Sequence, residues 1–102
     1  MNEEVFRAFS HPCRREIIRM LRRESMSTGE IADCFAIAQP SVSRHLEVLK
    51  RTGVVSVKKK GTQMIYSLEL SMVQEMLVYV SELLIGKEER GGQEEDLMIT
   101  KW

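Results

Sequence analysis

Cys13, Cys34, His11 and His45 are the side chains with which this chain of 102 residues could do covalent or metal chemistry. A thiolate nucleophile needs a positioned base and a group that orients that base. His11-Pro12-Cys13 sets an imidazole two residues from a thiol, and Arg14-Arg15 add positive charge that favours the thiolate. No pattern supplies an oxyanion donor or a third orienting group, so no catalytic residue and no enzymatic activity are expected. Soft and borderline metals require several thiolate or imidazole ligands held together. The spacing of the two cysteines matches no zinc knuckle, so no metal ligand and no cofactor are expected. Two cysteines are also too few for a disulfide framework; in a reducing compartment they serve as small apolar residues. A thiol- or metal-responsive role for Cys13 and Cys34 is the alternative to weigh.

A second set of side chains carries a different chemistry. Between Gln39 and Thr52, Val42, Leu46 and Leu49 fall on one helical stripe. That leaves Pro40, Ser43, Arg44, Glu47 and Arg51 on the far side, with Ser41 at the flank. Short polar and basic groups in the first turns of a helix suit base edges in a major groove. Arg44 can grip a guanine bidentately, and Gln39, Ser41 and Ser43 can donate or accept. His45 lies toward the buried edge, where it would meet a phosphate or pack. Lys58-Lys59-Lys60-Gly61-Thr62-Gln63 sits between two strand-like runs and reads as a basic hairpin tip. Such a tip could neutralise phosphates along or in a minor groove. Lysines on a hairpin also guard against edge-to-edge pairing, but beside a candidate recognition helix they favour DNA. The expected DNA contacts are Gln39, Pro40, Ser41, Ser43, Arg44, His45, Lys58, Lys59, Lys60 and Thr62.

The elements that must hold these groups are legible in outline. The length argues for one domain, and 43% hydrophobic with 29% charged residues is ordinary for a soluble one. The formal charge is zero, yet residues 1–66 hold 12 basic against 7 acidic side chains, a net of +5. Residues 67–102 hold 3 against 8, a net of −5. A basic body points to a polyanionic partner. Glu3 to Ser10 reads as a short helix with Val5, Phe6 and Phe9 on one side. Pro12 suits a first helical position, followed by Ile17, Ile18 and Leu21, and Arg22-Arg23 suit the helix end. Ser27-Thr28-Gly29-Glu30 fits a capping box, and Ile31, Ala32 and Phe35 form the inner side of a third, short helix. A turn at Ala36-Ile37-Ala38 leads into Gln39–Thr52, closed by Gly53. Val54, Val55 and Val57, then Met64 to Leu68, read as strands. A long amphipathic helix follows from Ser71 to Ile85. The expected fold is therefore mainly α with a small β-hairpin, in the order α-α-α-α-β-β-α, a winged helix-turn-helix. Residues 1–86 form the DNA-binding and dimerisation domain, and 87–102 an acidic, flexible tail. Val5, Phe6, Phe9, Met72, Met76, Tyr79, Val80 and Leu83 are the expected dimer interface. No apolar run is long enough to span a membrane and no leader pattern is present, so a cytoplasmic protein without membrane insertion is expected.

Val5-Phe6-Arg7-Ala8-Phe9-Ser10-His11-Pro12-Cys13-Arg14-Arg15-Glu16-Ile17-Ile18 resembles the opening of ArsR/SmtB-type repressors. Gln39-Pro40-Ser41-Val42-Ser43-Arg44-His45-Leu46-Glu47-Val48-Leu49 is similar to their recognition-helix signature. Gly53-Val54-Val55 and Lys60-Gly61 fall where that family begins its first strand and turns its wing. The resemblance spans about residues 3–85. It implies a homodimer joined through the first and last helices, repressing transcription from double-stranded operator DNA with inverted half-sites. The family's C-x-C thiolate positions correspond here to Ser27 and Gly29, and Cys34 lies outside that pattern. The Asp and His ligands of its other metal site are missing from Ser71–Ile85. The chain therefore resembles the metal-independent, SdpR-type autorepressor subgroup, with release from DNA expected through a sequestering protein partner. Ala38 stands where the family places a serine cap, a loss of about 1 kcal/mol of helix stability.

Overall fold

The structure, a computed structural model, describes residues 4–86. Its first element, α1 (Val5–Ala8), is a single turn, shorter than the helix expected over Glu3–Ser10; it buries Val5 and Ala8. After it, α2 (Pro12–Arg23) starts as Pro12 predicts, with His11 as N-cap accepting a hydrogen bond from the Cys13 backbone N–H at Nδ1, 3.0 Å. Cys13, Ile17 and Leu21 recur every fourth residue and form its buried face. The capping box closes α3 (Thr28–Ala32) in both directions. Glu30 N–H donates to Ser27 Oγ at 3.2 Å, and Ser27 N–H to Glu30 Oε1 at 2.9 Å. An N-cap residue keeps extended dihedrals, and here that backbone does a second job. Met26–Ser27 forms β1, a two-residue strand paired with Tyr66 and Ile65.

Next comes α4 (Gln39–Thr52), bounded as expected by Ala38 and by Gly53 at φ 86°. Positive φ at Gly53 ends the helix without the cost a side chain would bring. Ala38 offers no side-chain cap, but Pro40 in the first turn has no N–H to satisfy, and Ser41 and Val42 donate to the Ala38 carbonyl. The chain then forms β2 (Val55–Lys60) and β3 (Gln63–Leu68), and the sheet order is β1-β3-β2, antiparallel throughout. Between Lys60 and Gln63 only Gly61 and Thr62 turn. Gly61 has φ 66° and Thr62 a negative φ, the glycine-first arrangement of a type II′ hairpin. The last element is α5 (Leu70–Ile85).

The fold is mainly helical with a three-stranded sheet, in the order α-α-β-α-α-β-β-α. It corrects the expected order only by the addition of β1. One core joins α1, α2, α3, α4 and the start of β2, built on Val5, Ile17, Ile31, Val42, Leu46, Leu49 and Val54. Met72 is the residue of α5 packed against it. No residue of α5 is buried, and Leu70, Leu77, Val78, Leu83, Leu84 and Ile85 are exposed. Among the described residues no helix is long and apolar enough to cross a membrane. The acidic tail expected at 87–102 lies outside the described residues.

Candidate nucleic-acid interface

The stripe Val42, Leu46, Leu49 is wholly buried and orients α4. As expected from that orientation, Gln39, Pro40, Ser43, Arg44, Glu47 and Arg51 are exposed, and Ser41 is half-buried at the flank. The first two turns thus present amide, hydroxyl and guanidinium groups on one outward face, the combination that can donate to and accept from base edges.

The wing corrects one expectation. Lys58, Lys59 and Lys60 are not the hairpin tip; they are the last three residues of β2, paired with Ile65, Met64 and Gln63. Successive strand residues face opposite sides of a sheet. Lys59 therefore shares a face with Val55 and Val57, and Lys58 and Lys60 share the other with Ser56. The wing is a two-sided cationic blade, with Thr62 exposed at its turn. Removing one of these charges should weaken DNA binding equally on every sequence. For Lys59→Ala we expect the slope of log affinity against log salt to flatten by about one unit. Titrations at several salt concentrations check this, and an unchanged slope would place Lys59 off the phosphates.

His45 is half-buried beside α2. Its Nδ1 lies 3.0 Å from Arg14 Nη1, and its ring centroid is 4.3 Å from that of His11 at 41°. Burial, then the charges of His11, Arg14 and Arg44, hold its pKa below the ordinary histidine value, so the ring is neutral at pH 7. Sequence reasoning placed His45 at the buried edge but missed Arg14. The two residues are 31 positions apart, and no local pattern connects them.

The cysteines lie in unlike surroundings. Cys13 is buried and its thiol is pushed up by that burial, against a smaller opposing effect of Arg14. Cys34 is exposed, and its Sγ donates to the Glu30 carbonyl at 3.4 Å. No group of three or more His, Cys, Asp or Glu that could hold a metal occurs among the described residues.

The expected dimer residues divide. Val5, at 0% exposure, belongs to the core of its own protomer, and Phe9 and Met72 pack against that core. Val5 has no free surface to offer a seam, whereas Phe9 and Met72 are only partly buried. Phe6, Tyr79, Val80 and Leu83 are exposed, and the Phe6 ring meets Tyr79 edge-on at 5.7 Å. Met76 is half-buried.

Comparison with known proteins places this arrangement. A helix-turn-helix domain family matches residues 9–58. The transcriptional repressor SdpR of Bacillus subtilis is 41% identical over 73 residues, covering 72% of this chain and 81% of that protein. The repressor SmtB of Mycobacterium tuberculosis is 37% identical over 65 residues, covering 64% of this chain and 48% of that one. A crystal structure of an ArsR family transcriptional regulator superposes with a TM-score of 0.75 at 25% identity, covering 79% of this chain and 89% of that one. The chain belongs to the ArsR/SmtB family. As an ArsR/SmtB regulator it carries the helix-turn-helix on α3 and α4 and the wing on β2 and β3. A homodimeric winged helix-turn-helix DNA-binding domain from Mycobacterium bovis shares this fold with a TM-score of 0.64 at 22% identity, covering 79% of each chain.

Proposed function

We propose that this protein is a transcriptional repressor that binds an inverted-repeat operator as a homodimer and is not an enzyme. In this reading α4 enters the major groove, with Arg44 reading a base and Gln39, Ser41 and Ser43 beside it, while the wing lies on the backbone and minor groove. The observation that carries the reading is the outward face of the first two turns of α4: short donors and acceptors around the exposed Arg44 guanidinium, held by a fully buried stripe. Two such helices are needed for two half-sites one helical turn apart. The apolar surface on α5, continued by Phe6, supplies a seam through which a second copy can bury area. The relatives named as repressors support the sign of regulation.

Arg44→Ala is the direct test. We expect a loss of about 1–3 kcal/mol on the preferred site and relaxed preference at one base pair of each half-site. Competition titrations with single-base variants of the site read both quantities. An equal loss on every sequence would assign Arg44 to the backbone and remove the base-reading role of α4.

A further inference from the structure

Arg14 is engaged three times, and each partner is neutral. Nε donates to the Arg7 carbonyl at 3.0 Å, Nη2 to Ser10 Oγ at 2.9 Å, and Nη1 to His45 Nδ1 at 3.0 Å. A guanidinium only donates, so His45 Nδ1 must accept and the ring proton sits on Nε2. These three bonds lock the fork in place between α1, α2 and α4. A guanidinium has five N–H groups, and three are used, which leaves one on each of Nη1 and Nη2. Two remaining N–H donors on one planar, charged group suit the oxygens of a phosphate.

Among the described residues no ion pair engages Arg14. The ion pair among the described residues is Arg19 with Glu16, on another part of α2. Burial, then the charge of Arg7, pull Arg14 below its usual value, the direction expected of a guanidinium without a carboxylate. Arg14, Ser41, Arg44, His45 and Val48 line a cleft of about 210 Å³ between α2 and the flank of α4. Arg44 belongs to the outward face of the recognition helix and Ser41 to its flank, so the cleft opens beside the surface that would lie on DNA.

We propose that this cleft binds a backbone phosphodiester of the operator, with Arg14 as its bidentate donor and His45 as the residue that positions Arg14. The inference rests on the DNA-binding reading above and adds a phosphate contact from α2, outside the helix-turn-helix and the wing. It makes the docking of α4 dependent on a residue that also fixes the end of α1.

The test compares Arg14→Gln and Arg14→Lys with the wild-type protein on an operator carrying single methylphosphonate substitutions, which remove one backbone charge at a time. We expect Arg14→Gln to bind roughly tenfold or more weakly on all sequences, to flatten the salt slope by about one unit, and to keep the base preference. Arg14→Lys should keep the slope but not the full affinity, because a lysine lacks the fork. One methylphosphonate position per half-site should weaken the wild type and leave Arg14→Gln unaffected. This last readout does not depend on how much stability the variant loses. Wild-type binding with every methylphosphonate costing Arg14→Gln as much as wild type would overturn the phosphate site and leave the DNA-binding reading standing. A wild-type protein that binds no DNA would overturn both.

Discussion

Replacing Leu83 by glutamate should convert the proposed homodimer to a monomer without unfolding the protomer. Leu83 is 69% exposed in the protomer, so the fold of one copy gives up little when it changes. In a two-fold seam the same residue occurs twice, and each glutamate would place an unpaired carboxylate in an apolar surface, a change that costs about 3–5 kcal/mol when a charge is left uncompensated. A loss of at least about two orders of magnitude in dimer affinity follows from that cost. The reason to look at α5 is its composition. Nearly all sides of this helix are apolar, yet none of its residues is buried, and a helix of that kind belongs inside an interface. Light scattering after size exclusion reads the mass directly. Operator affinity should fall with it, since a monomer reaches one half-site. A Leu83→Glu protein that stays dimeric would move the seam off this face of α5.

The second large effect is on the fold that carries α4. Leu46 is 1% exposed and sits in the core with Ile17, Ile31 and Leu49. Leu46→Ala removes three buried carbon atoms and leaves a cavity the neighbours can only partly close, which costs about 2–5 kcal/mol. For a domain of this size each kcal/mol lowers Tm by roughly 4–8 °C, so a fall of at least about 8 °C is expected in a thermal melt. DNA affinity below that transition should drop less, because the outward face of α4 is unchanged. A melt shifted by only a degree or two would mean that the stripe does not anchor the helix.

Most of the architecture was readable where one local rule had no competitor. Pro12, the Ser27–Glu30 box and Gly53 each mark an end by backbone chemistry alone, and the structure puts the ends there. The period of Val42, Leu46 and Leu49 settled the orientation of α4. The misses share a cause: each depends on a partner distant in sequence. Met26–Ser27 has too few residues to show alternation and becomes a strand only because Tyr66 and Ile65 come alongside. The lysine run reads as a tip because polar residues near glycine usually turn, whereas a two-residue turn lets the ladder continue through Lys60. The apolar character of Val5 suits a seam and a protomer core alike, and sequence alone cannot distinguish the two. The Arg14–His45 contact joins residues on separate helices and left no trace in spacing.

Whether two copies of α4 read DNA from one dimer is tested most directly by selecting bound sequences from a random DNA library. The purified protein, free of added metal and at near-physiological salt, should enrich an inverted repeat whose half-sites lie about one helical turn apart. Failure to enrich any sequence, with or without zinc or reductant, would contradict the account and leave the basic wing and the face of α4 as surface for another partner.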